Sequence, residues 1–150
     1  MVEVISRKQA PARATRALRY AALGYAAGFL LHTADHLRRG LDVLTPEVLW
    51  AGNITGFVAV VAIVLALVGH RLAPLVAAAH GLSQAAGVAA VHLLPRWSAF
   101  SDSLPASGAG VLSWIAVLAE IVAALALGAA GAYALRGERR GLSRYSLEQM

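Results

Sequence analysis

The sequence contains no cysteine and is poor in charged residues. The absence of cysteine among 150 residues excludes a disulfide framework, a thiolate metal site, an iron–sulfur cluster and a CxxC redox motif. Charged residues make up 14% of the chain, whereas soluble domains carry about 25%. The chain also has no G-x-S-x-G motif and no glycine-rich phosphate loop, so nothing in the sequence supports nucleophilic catalysis.

Hydrophobic residues account for 59% of the chain, with a mean hydropathy of +0.65, and they are grouped in long runs. Runs at residues 49–69, 72–94 and 111–135 are each long enough to cross a hydrocarbon core of about 30 Å as a helix. A fourth span is predicted at residues 20–38. Its apolar part, from Tyr20 to Leu31, is too short to cross the membrane alone, so the span must also include the polar residues that follow Leu31. We therefore predict an all-α integral membrane protein, a four-transmembrane-helix bundle, with residues 1–150 forming a single membrane domain. The alternative for the first span is a secretory signal peptide, but no A-x-A-like cleavage site follows it.

Several residues mark the ends of the predicted helices. Gly40 is a plausible stop for the first helix, and Thr45 followed by Pro46 is typical of an N-cap and first helical position. Aromatic side chains with a polar end favour the membrane–water boundary. Three tyrosines near the inner ends of the helices are predicted to be such interfacial anchors: Tyr20, Tyr25 and Tyr133.

The distribution of positive charge predicts the orientation. Ten lysines and arginines lie before the first span, between the second and third spans, or after the last, and three lie in the other two connections. Because positive residues accumulate on the cytoplasmic side, both termini are predicted to be cytoplasmic, in basic segments at residues 1–19 and 136–150. The expected partners are the lipid bilayer and anionic lipid head groups at the cytoplasmic face, with no nucleic acid. We expect a multi-pass protein of the cell (plasma) membrane, and the ratio of twelve arginines to one lysine favours a bacterial source.

Polar residues of all four predicted spans fall at a similar depth near the outer surface. At 1.5 Å per helical residue, this layer comprises His32, His36, Asn53, His92 and Glu120. Several of them continue rows of small residues spaced four apart, such as Gly24-Gly28-His32-His36 and Ala116-Glu120-Ala124. In the second span, Gly52 and Gly56 flank Asn53. Small residues at this spacing mark contacts between transmembrane helices, so we expect the ionisable groups to face the interior of the bundle.

This layer has the composition of a metal site. His32 and His36, one turn apart, can bind one ion from a single helix face. Asp35 is predicted to be a third ligand or an acceptor that orients an imidazole, and His92 and Glu120 are predicted to complete the coordination. Such donors suit a divalent transition metal, namely zinc, copper, iron or manganese. The resulting hypothesis is metal binding or metal-dependent membrane chemistry, and the sequence leaves open whether the protein is an enzyme.

Other interpretations of the same residues remain open at this point. The main alternative is a non-catalytic accessory or scaffold subunit, with a membrane protein partner or as a homo-oligomer, in which the polar residues hold the helices together. A b-type haem between His92 and either His32 or His36 is a further alternative. The last is transfer of protons or small solutes along His80, Gln84, Glu120 and His32.

Overall fold

The computed structural model describes the backbone of residues 2–147 and the side chains of residues 13–137. It contains four long helices, α1 (Val2–Arg39), α2 (Pro46–Val68), α3 (Ala73–His92) and α5 (Val111–Leu147). A short 3-10 turn (Leu41–Val43) precedes α2, and the four-residue helix α4 (Leu104–Ser107) precedes α5. Because the described backbone contains no strand, the prediction of an all-helical chain is confirmed.

Three of the helical segments are long and apolar enough to cross a membrane: Pro46–Val68, Ala73–His92 and Val111–Gly137. They coincide closely with the runs predicted at residues 49–69, 72–94 and 111–135. The fourth predicted span, at residues 20–38, is helical within α1, but α1 is not among the three. Both α1 and α5 also continue without interruption into the basic segments at the two ends of the chain.

The predicted end of the first helix and the predicted start of the second helix are those of the structure. Helix α1 stops at Arg39 because Gly40 takes a positive φ of 89°, which side chains with a Cβ rarely adopt. The hydroxyl of Thr45 accepts a hydrogen bond from the Val48 N–H at 3.2 Å, as an N-cap does. Pro46 then occupies the first position of α2, where its missing N–H costs nothing.

Helix α5 packs along both α1 and α3, and the core between them is built largely from alanine and glycine. A Cβ added at Gly81 would lie 2.5 Å from the backbone nitrogen of Gly128, and one at Gly131 would lie 2.5 Å from that of Ala78. These helices therefore approach each other closely through small residues, as the sequence pattern predicted.

Two predictions about individual residues of this core need correction. Tyr25, predicted to be an interfacial anchor, is fully buried in the core. Of the glycines predicted to lie at helix contacts, Gly28 does so, since an added Cβ would lie 3.1 Å from the Ala119 carbonyl oxygen. Gly24 and Gly52, in contrast, face open space. Gly56 of α2 does lie at a contact, since an added Cβ would lie 3.2 Å from the Phe29 ring of α1. The small-residue pattern thus correctly placed one of the two glycines on each of these helices.

Candidate metal centre

Three histidines from two helices meet near one end of the bundle. His32 and His36 are one turn apart on α1, and His92 is the last residue of α3. Their ring centroids are 4.6 to 5.4 Å apart, and one nitrogen from each lies within 4.8 Å of the others. Because nitrogens bound to one zinc ion are separated by about 3.3 Å, small side-chain rotations would bring all three onto a single ion. We call these residues the histidine cluster.

The Glu120 carboxylate lies behind His32. The His32 Nδ1 donates to Oε2 of Glu120, while Oε1 of Glu120 accepts a hydrogen bond from the Gln84 side chain at 3.0 Å. Glu120 is only 1% exposed. The His32 Nε2 is buried and has no hydrogen-bond partner among the described residues. A proton fixed on Nδ1 leaves the lone pair of Nε2 free to bind an ion.

His92 is oriented in the same way by the loop that follows α3. Its Nδ1 lies 3.0 Å from the carbonyl oxygen of Asp102 and therefore donates to it. The carboxylate of the same aspartate is 3.5 Å from this nitrogen and 3.9 Å from the His36 Nδ1. The His36 Nδ1 is itself buried without a hydrogen-bond partner in the described part of the chain. Two of the three imidazoles thus have Nδ1 engaged by oxygen acceptors.

Asp102 is a residue of the site that the sequence analysis missed. It accepts two hydrogen bonds of 2.8 Å from the Arg39 guanidinium, and its N–H binds the Val91 carbonyl at the end of α3. Burial tends to raise the pKa of Asp102, but the hydrogen bonds from His92 and Arg39 outweigh it and hold the pKa well below its usual range. The same hydrogen bonds raise the pKa of Arg39. The sequence shows Asp102 as the acidic residue of the loop between the third and fourth predicted spans, on the same side of the membrane as Arg38 and Arg39. This pattern does not specify which residues Asp102 contacts.

Asp35 pairs with Arg38 and is not part of the group formed by the three histidines. Its carboxylate accepts hydrogen bonds from Arg38, the shorter of them 2.7 Å long. The same guanidinium donates to the Ser113 hydroxyl at the start of α5, at 3.2 Å. The structure therefore brings together His32, His36 and His92 and places Glu120 beside them. That Asp35 and Glu120 are themselves ligands stays a prediction.

Two other polar residues of the predicted layer and pathway, Asn53 and His80, make their hydrogen bonds outside the cluster. Asn53 is exposed and donates to the Leu49 carbonyl of its own helix at 2.8 Å. His80 is hydrogen-bonded to the Tyr25 hydroxyl at 2.9 Å, with the two rings edge to face. The sequence suggested no partner for His80 because Tyr25 was assigned to the membrane surface.

A cavity of about 580 Å³ adjoins the histidine cluster between α1, α2 and α3. All three cluster histidines line it, together with Gln84 and Glu120. Most of its remaining wall is apolar: Phe29, Leu37, Leu41, Leu44, Val48, Leu49, Phe57, Val60, Val88, Val91 and Phe100. An ion held by the cluster would therefore face this cavity.

Comparison of the chain with protein-family models, with curated proteins and with solved structures finds no match. The function therefore has to be argued from the site. The fold and the site together show a small helical protein with three helices able to cross a membrane and a buried group of three histidines that could hold a metal ion.

Proposed function

We propose that this protein is a membrane protein that binds one divalent transition metal through His32, His36 and His92. The observation that carries the proposal is the hydrogen bonding of Nδ1 in two of the three imidazoles, to Glu120 and to the Asp102 carbonyl. Metal-binding histidines generally donate their other N–H to a carboxylate or carbonyl, which fixes both tautomer and ring orientation. Histidines that merely hold helices together need no such arrangement around a common point.

The donor set narrows the choice of metal. Three imidazoles suit zinc, copper or iron better than manganese, which prefers oxygen ligands. Three protein ligands also leave a fourth position for water or another molecule, as in catalytic zinc sites. The carboxylates of Glu120 and Asp102 lie beside the cluster and would offset part of the charge of the ion.

The proposal includes four membrane spans with both termini cytoplasmic. Leu18, Ala22 and Tyr25 of α1 pack in one core with the end of α2, the start of α3 and the middle of α5. At its other end, His32 of α1 reaches Glu120 of α5. Helix α1 therefore runs beside the three apolar helices over much of their length, which supports a fourth span at residues 20–38. The basic ends would then lie at anionic lipid on the cytoplasmic face of the cell membrane.

The direct test is metal content. The protein, purified in detergent, is analysed by mass spectrometry for bound metals and titrated with zinc or copper in competition with a chromophoric chelator. We expect one ion per chain, lost in His32→Ala and in His36→Ala. The matched control is His70→Ala, because His70 is exposed and hydrogen-bonded only locally, to the Leu72 N–H.

Circular dichroism and gel filtration of each variant show whether the protein has folded. Folded wild-type protein that binds no metal, or equal loss of metal in the His70 variant, would overturn the proposal. In that event the polar residues would serve only to join helices, and an accessory subunit would be the better description. An absorption spectrum of the same preparation tests for haem. The direct contact between the cluster rings favours a single ion over a macrocycle between them.

A further inference from the structure

The cavity beside the histidine cluster has the size and composition of a small-molecule site. Its volume of about 580 Å³ falls within the range of about 300–1,000 Å³ that is usual for ligand pockets. The polar side chains that could meet a ligand include the three cluster histidines, Gln84 and Glu120, and most of the remaining wall is hydrocarbon. A ligand that fits this wall has a polar end directed at the metal and an apolar body.

Most of the exposed side chains at the edge of the cavity are apolar. Thr33 and Asn53 also line it and are exposed, but each donates a hydrogen bond to a carbonyl of its own helix. Leu37, Phe57 and Val60 all line it and are 64%, 71% and 52% exposed. No lysine, arginine or aspartate is among the described residues that line it. In a membrane these side chains would lie against acyl chains, so the cavity would open towards lipid.

An ion pair covers one side of the cluster. Asp102 lies over His36 and His92, bonded to Arg39 by two hydrogen bonds and to the end of α3 by its N–H. A charged solute arriving from that side would have to displace this partly buried ion pair. A molecule already dissolved in the bilayer would only have to pass apolar side chains.

Two glycines leave room for such a molecule. Gly52 on α2 and Gly87 on α3 both line the cavity, and a Cβ added at either would meet no atom within 4 Å. Larger side chains at these positions would reduce the space without a steric clash with the backbone. They are therefore suitable positions for a test.

We infer that the molecule that reaches the metal is a membrane-dissolved amphiphile, with an oxygen-bearing head that meets the ion and a hydrocarbon part that occupies this cavity. This inference rests on the proposed function, since the head is placed by a metal held at His32, His36 and His92. It identifies the substrate or ligand class as lipid-soluble and not as a free ion or sugar in water.

The test uses alkyl hydroxamates, which bind zinc through two oxygens and can be made with chains of increasing length. Affinities of zinc-loaded protein are measured by calorimetry for chains from acetyl to octanoyl. The cavity variant is Gly52→Leu/Gly87→Leu. The matched control is Gly24→Leu/Gly137→Leu, since both of these glycines face open space and neither lines the cavity.

The quantity to compare is the ratio of wild-type to variant affinity at each chain length, because partition of the probe into detergent then cancels. Full burial of one methylene strengthens binding by about fourfold. For the cavity variant, we expect this ratio to increase with each added methylene, by at most about fourfold per methylene. The ratio for the control should stay flat.

A ratio that stays constant with chain length, or rises equally in the control, would overturn the inference while leaving the metal site intact. Absence of binding of zinc, copper and iron in the folded wild-type protein is a different result and would overturn the proposed function itself. The zinc content of each variant is measured alongside. If the double cavity variant loses zinc, the series is repeated with Gly52→Leu alone, which adds bulk on α2, the helix that carries no cluster histidine.

Discussion

Glu120 offers the sharpest single test of how the histidine cluster works. Replacement by alanine removes the acceptor of the His32 Nδ1–H and of the Gln84 amide. Both partners are buried, so bulk water cannot readily replace the lost carboxylate. The His32 ring then loses the contact that fixes its orientation and tautomer, while the three nitrogens of the cluster remain in the chain.

The expected magnitude follows from this indirect role. Loss of an acceptor behind a metal-bound histidine typically costs about 10- to 100-fold in metal affinity, which is about 1.4–2.7 kcal/mol. Removal of His32 itself takes away a ligand and should cost considerably more. Glu120→Ala should also lower the free energy of unfolding, by about 1–3 kcal/mol for each buried polar group that is left unpaired.

The assay is competition for zinc with a chromophoric chelator, in detergent, for wild type, Glu120→Ala and Glu120→Gln. The glutamine variant retains an oxygen acceptor and should fall between the other two. Asp35→Ala is the matched control, because Asp35 is also a buried carboxylate but binds Arg38 outside the cluster. Wild-type affinity in Glu120→Ala, or an equal loss in Asp35→Ala, would refute the roles assigned here. A loss in Glu120→Ala as large as in His32→Ala would instead make Glu120 a direct ligand.

Two further predictions concern the core. Gly81→Ala should destabilise the protein by about 1–3 kcal/mol through overpacking, because the new Cβ would lie 2.6 Å from a carbonyl oxygen of α5. Gly24→Ala, at an open position inside α1, should not destabilise it and should instead stabilise it by up to about 1 kcal/mol, because alanine favours a helix over glycine. Unfolding by sodium dodecyl sulfate in mixed micelles measures both, and equal effects would contradict the packing. Tyr25→Phe leaves the buried His80 Nε2 without its partner and should cost about 1–3 kcal/mol in the same assay. A Tyr25→Phe protein as stable as wild type would show that this hydrogen bond contributes nothing net.

Local patterns in the chain were sufficient to predict the helices. The apolar runs predicted the three segments that are able to cross a membrane, because length and hydropathy are properties of consecutive residues. The end of α1 at Gly40 and the cap at Thr45 were equally predictable, since each depends on one residue and its immediate neighbours. The proximity of His32 and His36 followed from the helical repeat alone.

Contacts across the bundle were harder to predict. The approach of His92 and Glu120 to His32 was expected from their similar depth. That Glu120, and not Asp35, would hydrogen-bond an imidazole of the cluster was not. Asp35 is next to His36 in sequence, yet its carboxylate binds Arg38, whereas Glu120 comes from a distant helix and contacts His32 directly. Sequence spacing gives the depth of a side chain but leaves the rotation of each helix about its axis undetermined.

The sequence by itself determined that the chain is helical, where its apolar segments lie, that the first helix stops before Gly40, and that two histidines lie one turn apart near the end of that helix. Only the tertiary structure decided that Asp102 returns from a loop to His92, that Tyr25 bonds His80 inside the core, and that a cavity opens beside the cluster. The physical reason is that helix formation depends on backbone hydrogen bonds and side-chain character within a few residues. The path of a loop and the facing of packed helices depend on how all the side chains of the bundle fit together.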